Sequence, residues 1–379
     1  MPDTIRPVLV SKFMPPPYAG VEAHVDTLAR ALAPHCAPTV VTGELPGRDR
    51  SQDGALPYRL LTSRSWFKLS SVFVTPGVLP RIRRELASGR ANLLHHHAPN
   101  PWGELASLAV DAPVVMTWHS DIVRQQTLLK FYGPIQRRAL ERADRILVFT
   151  PKHYESSTQL KRPGLERKMA VVPIGIDFAG LDVIASDPQF LHELQAWTRG
   201  RPLILTVGRH VYYKGYEHLL RAMALMRTEA VLALVGTGQL TDTLRRLAEE
   251  LGLAERVRFL GSLSTPRMVT AMRACDLFTL PSIAPAEAFG IASAEAMSMG
   301  KPTVVCRLGN GVDFLNQAGT TSLAVPPRDE SALAQALETL AADAALRRRM
   351  GAAAAEWVRG QFSIEAMVQG TLRVYRELL

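Results

Sequence analysis

The chain has 379 residues, of which 47% are hydrophobic and 21% are charged, and its formal net charge is +9 at pH 7. This length exceeds what one hydrophobic core usually supports, so we expect two globular domains. No apolar run is long enough to span a bilayer, and the run Val8–Val10 is too short for a signal peptide. The three cysteines are unpatterned, which fits a reducing cytosol.

Short β-rich runs alternate with helical stretches along the whole chain. The expected strands are residues 8–10, 39–42, 92–95, 114–118 and 146–150 in the first half, and 203–207, 231–235, 257–260, 277–280 and 303–306 in the second. Helix-like segments include residues 22–33, 216–226, 241–251 and 265–274. This alternation indicates parallel sheets that are covered by helices on both faces. Residues 177–202 lack a strand signal and contain Asp, Pro and Gly, so the interdomain connection is expected there.

The loop after the first strand leads into the first helix through Pro-Pro-Pro-Tyr-Ala-Gly, residues 15–20. Gly20 would let the backbone approach a phosphate or an acceptor at the helix N-terminus. Glu22, in the first turn, is a candidate on the acceptor side. It could equally be a favourable charge at the positive end of the helix dipole.

Histidines mark the ends of two further strands. His95, His96 and His97 are consecutive on an expected strand, where side chains alternate between faces, so the three cannot bind one metal ion together. We expect no metal site there, although His97 could line the ligand cleft. His119 and Asp121 follow the next apolar strand, where α/β proteins present their chemistry. Asp121 is a candidate on the acceptor side. A structural role for His119, and helix capping by Asp121, are the alternatives.

Two cations occupy a strand-to-helix turn in the second half, Leu-Thr-Val-Gly-Arg-His-Val-Tyr-Tyr-Lys-Gly-Tyr. Arg209 comes directly after the strand and Lys214 begins the helix. Together they could neutralise a diphosphate, Arg209 by a forked contact and Lys214 as a point charge. Alone, the segment could be only a basic turn. The nearby Gly236-Thr-Gly238 lacks the third glycine of a dinucleotide fingerprint, so a nicotinamide site is not expected.

The most informative motif is Pro-Ala-Glu-Ala-Phe-Gly-Ile-Ala-Ser-Ala-Glu-Ala-Met-Ser-Met-Gly-Lys-Pro, residues 285–302. A helix beginning near Gly290 would direct free backbone N–H groups at an anion. Glu295 lies one turn inside and leans back toward that end, so its carboxylate would meet a sugar hydroxyl beside the phosphate. Glu287 would reach the same space from the loop. Amides for a phosphate and two carboxylates for hydroxyls describe a nucleotide-sugar site.

This motif resembles the Glu–seven–Glu motif of the retaining glycosyltransferases of family 4, which adopt the GT-B fold. The resemblance covers nearly the whole chain and implies an α/β protein of two facing, doubly wound Rossmann-like parallel-sheet domains with an interdomain cleft. It implies an N-terminal acceptor-binding domain over residues 1–185 and a donor-binding domain over residues 200–359. The C-terminal helix, residues 360–379, should pack back onto the first domain.

The resemblance also implies roles for individual residues. Arg209 and Lys214 would hold the donor diphosphate, and His119 would contact the donor sugar. Glu287 would position sugar hydroxyls, and Glu295 would hold the ribose. The implied catalytic set is His119, Arg209, Lys214 and Glu287, and the donor-binding set adds Gly20, Phe289, Gly290, Ile291 and Glu295. The family usually has two glycines where this chain has Ala19-Gly20, which weakens a phosphate role for position 19.

The implied reaction is hexose transfer with retention of configuration, without a catalytic metal or cofactor. The segment Thr-Trp-His-Ser-Asp-Ile-Val-Arg-Gln, residues 117–125, looks most like transferases of bacterial surface-polysaccharide assembly. This similarity favours GDP-mannose as donor and a polyprenyl-diphosphate-linked saccharide as acceptor. A transferase that uses a UDP-hexose or another donor with a soluble acceptor remains an alternative. So does a non-catalytic nucleotide-sugar-binding protein.

A basic, aromatic stretch lies in the first half. Its aromatic residues are Trp66, Phe67 and Phe73, and its charged residues are Arg59, Arg64, Lys68, Arg81, Arg83, Arg84 and Arg90 against Glu85 alone. This composition fits docking on anionic headgroups, so we expect a cytoplasmic protein that is peripheral on the inner face of the cytoplasmic membrane. The alternative is a solvated basic face with aromatics in the core. Nucleic acid is a poorer partner, because no recognition module is evident.

Overall fold

The computed structural model describes residues 4–13, 20–44, 55–69, 72–122 and 126–379. They form two compact units, residues 1–175 with 362–379 and residues 176–361. The boundary therefore precedes the one expected from the sequence, and residues 176–185 belong to the second unit. The interval that resembles a linker in sequence is helical, with α6 at Phe178–Val183 and α7 at Pro188–Thr198.

The first unit contains a seven-stranded parallel sheet in the order β3-β2-β1-β6-β7-β8-β9. These strands are β1 Pro7–Val10, β2 Thr39–Glu44, β3 Arg59–Arg64, β6 Leu93–Ala98, β7 Val114–Trp118, β8 Arg145–Val148 and β9 Met169–Val171. A two-stranded antiparallel hairpin comprises β4 Lys68–Leu69 and β5 Val72–Phe73. The helices are α1 Gly20–Leu32, α2 Val78–Ala87, α3 Pro101–Ser107, α4 Gln126–Arg142, α5 Pro151–Ser156 and α15 Ile364–Leu378.

The central strand β1 shows why the sheet is covered on both faces. Its residues are fully buried: Val8 and Val10 pack into one hydrophobic cluster and Leu9 into another. The Leu9 cluster contains Val25 and Leu28 of α1 together with Met367, Leu372 and Tyr375 of α15. The C-terminal helix is thus part of the core of the first unit.

The second unit contains a six-stranded parallel sheet in the order β12-β11-β10-β13-β14-β15. The strands are β10 Leu203–Val207, β11 Val231–Val235, β12 Val257–Gly261, β13 Leu277–Leu280, β14 Thr303–Cys306 and β15 Ser322–Val325. Its other helices are α8 Tyr216–Leu225, α9 Thr241–Glu250, α10 Thr265–Ala274, α11 Ile291–Ser298, α12 Gly311–Leu315, α13 Glu330–Ala342 and α14 Ala344–Gln361.

Both sheets are doubly wound, which confirms the predicted fold class of two Rossmann-like units. The strand order reverses between β1 and β6 in the first unit and between β10 and β13 in the second. In open α/β sheets, ligands bind beyond the carboxyl ends of the strands at this reversal. Among the described helices, none combines the length and the apolar character needed to cross a membrane.

Candidate active site

The loop after β10 lies at the strand-order reversal of the second unit. It packs closely against the loop after β11, because a Cβ on Gly236 would lie 2.1 Å from the carbonyl oxygen of Gly208. A Cβ on Gly238 would lie 2.5 Å from the carbonyl oxygen of His210. The two glycines after β11 therefore permit a close approach of two backbones. This packing fixes the course of the chain on both sides of Arg209.

Arg209 and Lys214 have different surroundings. Arg209 is exposed, and its guanidinium has no ion-pair or hydrogen-bond partner within the described ranges. Lys214 ends a short 3-10 turn at Tyr212–Lys214, and its Nζ lies 2.6 Å from Oε2 of Glu287. The side chains of the Lys214–Glu287 pair are 12% and 11% exposed. The structure thus joins two residues to which the sequence assigned different parts of the donor.

The two carboxylate oxygens of Glu287 differ in their contacts. Ser282 donates its hydroxyl to Oε2 of Glu287 at 3.0 Å, which is the same oxygen that Lys214 contacts. In the described part of the chain, Oε1 has no hydrogen-bond donor. Asn310 donates its side-chain amide to the backbone carbonyl of Glu287 at 2.7 Å and so holds the loop. The free Oε1 can accept a hydroxyl hydrogen without breaking the ion pair.

The loops after β10 and β13 hold each other. The backbone N–H of Ile283 donates to the carbonyl of Tyr213 at 2.8 Å. Gly215 has φ +66°, and a Cβ there would lie 2.2 Å from the carbonyl oxygen of Pro281. Only glycine combines that backbone conformation with this close approach. The position of Lys214 therefore depends on the loop that carries Glu287.

The helix α11 begins as the motif predicts. Gly290 precedes it with φ +85°, and no side chain caps the helix. A Cβ on Gly290 would lie 2.7 Å from Cδ2 of Leu280, so the turn packs directly against the end of β13. The N–H groups of Ile291 and Ala292 donate to no acceptor among the residues described. Such an end attracts an anion. Phe289 itself is buried.

Glu295 lies one turn into α11 and is partly exposed. Its carboxylate has no hydrogen-bond donor in the described ranges. Burial raises the pKa of this carboxyl from 4.5 to about 7. A carboxylate that is shielded from water usually accepts hydrogen bonds. Because no described residue donates to this one, it can accept hydrogen bonds from hydroxyl groups of a ligand.

In the first unit, His119 follows β7 and lies among aromatic rings. Its Nε2 is 3.0 Å from Nδ1 of His97, and its ring centroid is 5.0 Å from that of Phe149. Burial, with smaller contributions from neighbouring histidines and Lys12, holds the pKa of His119 well below its usual range. The imidazole is therefore neutral at pH 7 and can donate one hydrogen bond and accept another.

Asp121 holds the segment after β7 in place. It accepts hydrogen bonds from the Ser157 hydroxyl at 2.5 Å, the Thr158 backbone N–H at 2.8 Å and the Trp118 indole at 3.2 Å. Both of its oxygens are engaged. The structure therefore gives Asp121 a structural contact, whereas the sequence placed it on the acceptor side.

Gly20 and Glu22 both lie in the first turn of α1. Glu22 is buried, and burial raises its carboxyl pKa while the Lys12 charge opposes the change. A Cβ on Gly20 would meet nothing within 4 Å, so packing against the described residues does not require glycine there. Ala19, the departure from the family pattern, lies outside the described residues.

Sequence reasoning missed His24. Its ring centroid lies 5.1 Å from that of His119 and 5.5 Å from that of His97. The available signal was its spacing of four residues from Gly20, which places both on one face of α1.

Comparison with known proteins identifies the family of this chain. Residues 189–357 match the family model for glycosyl transferases group 1, and residues 18–179 match the model for Glycosyltransferase Family 4. The phosphatidyl-myo-inositol mannosyltransferase of Mycobacterium leprae is 31% identical over 94% of this chain and 92% of its own length. The chain belongs to glycosyltransferase family 4.

Other relatives of this glycosyltransferase include the O-antigen chain mannosyltransferase C of Escherichia coli, which is 29% identical over 97% of this chain and 96% of its own length. Among solved structures, sucrose-phosphate synthase from Thermosynechococcus elongatus has a TM-score of 0.77 at 22% identity, covering 99% of both chains. Anabaena HepE, solved in complex with UDP, has a TM-score of 0.79 at 19% identity, covering 99% of this chain and 100% of its own. These structures confirm the GT-B fold of the glycosyltransferase.

Proposed function

We propose that this glycosyltransferase moves mannose from GDP-mannose onto a lipid-linked saccharide, with retention of configuration, in surface-polysaccharide synthesis. The observation that best supports this proposal is the Lys214–Glu287 pair at the strand-order reversal of the second unit. This pair leaves one carboxylate oxygen of Glu287 unpartnered in the described structure. The choice of mannose is supported by the relatives named as mannosyltransferases. The choice of a surface polysaccharide is supported by the O-antigen enzyme.

The donor diphosphate would bind through positive groups of the second unit. Within the part of the chain that the structure describes, Arg209 presents a guanidinium without a partner, Lys214 an ammonium group, and the start of α11 two N–H groups without acceptors. As the nucleoside diphosphate departs, negative charge builds on its oxygens beside these positive groups. The groups would therefore stabilise the transition state more than the bound donor. They would neutralise the leaving diphosphate, as a divalent cation does in other reactions with a phosphate leaving group. We therefore expect turnover without an added metal.

The sugar and ribose would be held by carboxylates. Oε1 of Glu287 would accept a sugar hydroxyl, and Glu295 would accept ribose hydroxyls. His119 of the first unit would donate a hydrogen bond to the donor sugar from its neutral ring. The diphosphate would depart and the acceptor attack on the same face of the sugar, without a covalent glycosyl intermediate.

Donor choice can be tested by nucleotide stabilisation and by transfer. GDP at about 100 times its Kd should add ~2.7 kcal/mol to the free energy of unfolding by mass action, and UDP at the same concentration should add clearly less. Transfer from radiolabelled GDP-mannose should exceed transfer from UDP-glucose and persist in excess EDTA. A larger effect of UDP would favour the UDP-hexose alternative. Loss of transfer in EDTA would mean that a metal is required.

Membrane docking is proposed for the aromatic tip Trp66–Phe67, which lies between β3 and the β4–β5 hairpin. Trp66 is 68% and Phe67 56% exposed, whereas Phe73 is partly buried. Exposed aromatic pairs suit insertion at the headgroup level of a bilayer.

The basic stretch is smaller than its composition indicates. Glu85 is buried, and it accepts hydrogen bonds from Arg59 at 2.5 Å and Arg90 at 3.0 Å. These two arginines therefore neutralise a buried carboxylate. Arg64 and Arg84 are exposed, and the side chain of Lys68 lies outside what the structure describes. The remaining charge still favours an anionic surface.

Vesicle co-sedimentation tests this docking. At low salt the protein should sediment with anionic vesicles and stay in solution with neutral ones. Recovery should fall as salt is added, because each surface cation contributes only about 1 kcal/mol. Replacing Trp66 and Phe67 by serine should reduce recovery about tenfold. Leu225→Ser, which removes an apolar side chain that is 58% exposed on the second unit, is the matched control. Equal recovery on both vesicle types would contradict the proposal.

A further inference from the structure

The first unit brings together three histidines from three separate elements. His24 lies on α1, His97 on β6 and His119 directly after β7. One nitrogen from each ring lies within 4.8 Å of a nitrogen from each of the others. This trio, His24–His97–His119, is not the consecutive His95-His-His run, whose members alternate between faces of the sheet.

Two of these rings carry buried nitrogens with no partner. Nδ1 of His24 and Nε2 of His97 are both buried without a hydrogen bond in the described structure. His24 and His97 are 7% and 0% exposed. Buried polar atoms normally have a partner. Because His97 faces His119 through its other nitrogen, Nδ1, the unpartnered Nδ1 of His24 is the atom that points to a ligand inside the trio.

The trio has the chemistry of a transition-metal site. Imidazole nitrogen suits Zn²⁺ and its neighbours in the first transition row, whereas Mg²⁺ and Ca²⁺ take oxygen ligands. A neutral imidazole binds such an ion through the nitrogen that carries no proton.

The distances fit a tetrahedral ion with small adjustments. Zn–N bonds of about 2.0–2.1 Å give a ligand-to-ligand edge of about 3.3 Å. The separation of 3.0 Å between Nδ1 of His97 and Nε2 of His119 is already close to that edge. In the free protein one of these rings donates its N–H to the other. When a metal ion binds both atoms, that proton would move to the other nitrogen of its own ring, so both rings would stay neutral. The other two nitrogen pairs lie within 4.8 Å, so side-chain rotation has to shorten each by about 1.5 Å at most.

The neighbouring residues would orient the ligands. His95 stacks on His97 with ring centroids 4.6 Å apart. His95 is itself fixed by the Tyr375 hydroxyl at 2.6 Å and the Thr117 hydroxyl at 2.7 Å. Phe149 packs edge-on against both His24 and His119. Such outer contacts hold ligand rings in place and are a regular part of metal sites.

We propose that His24, His97 and His119 bind one Zn²⁺ ion, with the fourth position open to water or an anion, and that this ion inhibits the glycosyltransferase. Three protein ligands with an open fourth position are a common zinc arrangement. The inhibition rests on the proposed contact between His119 and the donor sugar, because a metal-bound His119 cannot donate to that sugar. The binding itself does not depend on that role.

Titration with Co²⁺ tests the binding on full-length protein without a polyhistidine tag. One equivalent should produce the intense visible absorption of a four-coordinate ion, and one equivalent of Zn²⁺ should remove it, whereas Mg²⁺ should not. His24→Asn, His97→Asn and His119→Asn should each weaken binding about 100-fold or more, since even outer contacts of metal sites are worth 10–100-fold. His35→Asn, in an exposed residue of the same unit, should bind as the parent does.

Two outcomes of this titration would overturn the proposed metal site. Failure to bind Co²⁺ at micromolar concentration, or binding that all three substitutions leave unchanged, would overturn the site. His119 is partly exposed, so His119→Asn is the variant that disturbs folding least, and its melting temperature should be compared with that of the parent. Zn²⁺ should inhibit transfer and EDTA should restore it. Binding without inhibition would support the metal site and overturn the proposed sugar contact of His119.

Discussion

Replacing Lys214 by methionine is expected to lower sugar transfer about 10²–10³-fold, the usual cost of removing one group that stabilises developing negative charge. The ammonium group lies 2.6 Å from Glu287 and would contact the diphosphate as it leaves. Its removal also leaves Glu287 without its cation in a place where that side chain is only 11% exposed. We therefore expect a loss of stability of about 1–3 kcal/mol, below the range for fully buried pairs.

A double-mutant cycle separates these two effects. Lys214→Met and Glu287→Gln should each destabilise the protein, and together they should destabilise it less than the sum, with a coupling of about 1–2 kcal/mol. Transfer should stay low in all three variants. Arg347→Met is the matched control, because Arg347 pairs with Asp276 at 3.3 Å beside the start of β13, whereas Glu287 follows the carboxyl end of that strand. It should lose stability and retain transfer, and similar transfer by Lys214→Met would contradict the assignment.

Glu295→Gln is expected to weaken nucleotide binding about 10–100-fold, because hydrogen bonds to a charged group contribute about 1.5–3 kcal/mol. The same change should stabilise the free protein at pH 8. Burial raises the pKa of Glu295 from 4.5 to about 7, so the folded state binds the proton more tightly than the unfolded state. That contribution to stability is fully present below about pH 4.5 and is lost as the pH rises through about 7. Glutamine does not ionise, so the variant avoids this loss of stability at high pH.

The pH dependence of binding provides the sharper measurement. If ribose hydroxyls bind the ionised carboxylate, nucleotide affinity of the parent should rise about tenfold between pH 6 and pH 8 through this group. The nucleotide titrates in the same range, but it does so equally in the variant, so the difference between parent and Glu295→Gln isolates the carboxyl. Calorimetry at both pH values would show it. Glu249→Gln, on the exposed face of α9, should behave as the parent, and parallel pH profiles for all three proteins would exclude the ribose role.

Most of the fold could be predicted because central parallel strands are apolar on both faces. β1, β11 and β14 are buried along their whole length, and each was expected from its apolar run. Sequence reasoning missed the short β4–β5 hairpin and, in the two large sheets, the strands β3, β9 and β15, which all lie at an edge of a sheet. Edge strands are covered less completely, so β3, with the sequence Arg-Leu-Leu-Thr-Ser-Arg, lacks a continuous apolar pattern.

The misplaced domain boundary has a local cause. Asp187 and Pro188 were interpreted as linker residues, but they begin α7. Asp187 caps the helix by accepting from the Phe190 N–H, and Pro188 occupies the first turn, where no donor is needed. Phe190 and Trp197 then pack into the core of the second unit. Asp and Pro occur both in linkers and at the starts of helices. Only the burial of the segment that follows shows which of the two structures is present.

The site was predictable where one short motif carries it. The start of α11 at Gly290 and the position of Glu295 one turn inside follow from this motif alone. The Lys214–Glu287 contact joins residues 73 positions apart, and the histidine trio joins three elements, so neither could be seen before the strands were ordered. The expected alternation of the three strand histidines is confirmed, since His95 stacks on His97 while a Cβ on Gly103 of α3 would lie 2.7 Å from Cβ of His96.

The place of α15 in the first unit has a consequence for biosynthesis. Tyr375 and its neighbours complete a core that begins with β1, yet they leave the ribosome only after the whole of residues 176–361. At ~5–20 residues per second, translation of that insert takes about 10–40 s. For this time the nascent first unit lacks the helix that covers Leu9 and the hydroxyl that binds His95. We therefore expect the second unit to mature first on the ribosome, and a nascent chain that stops before α15 to need a chaperone.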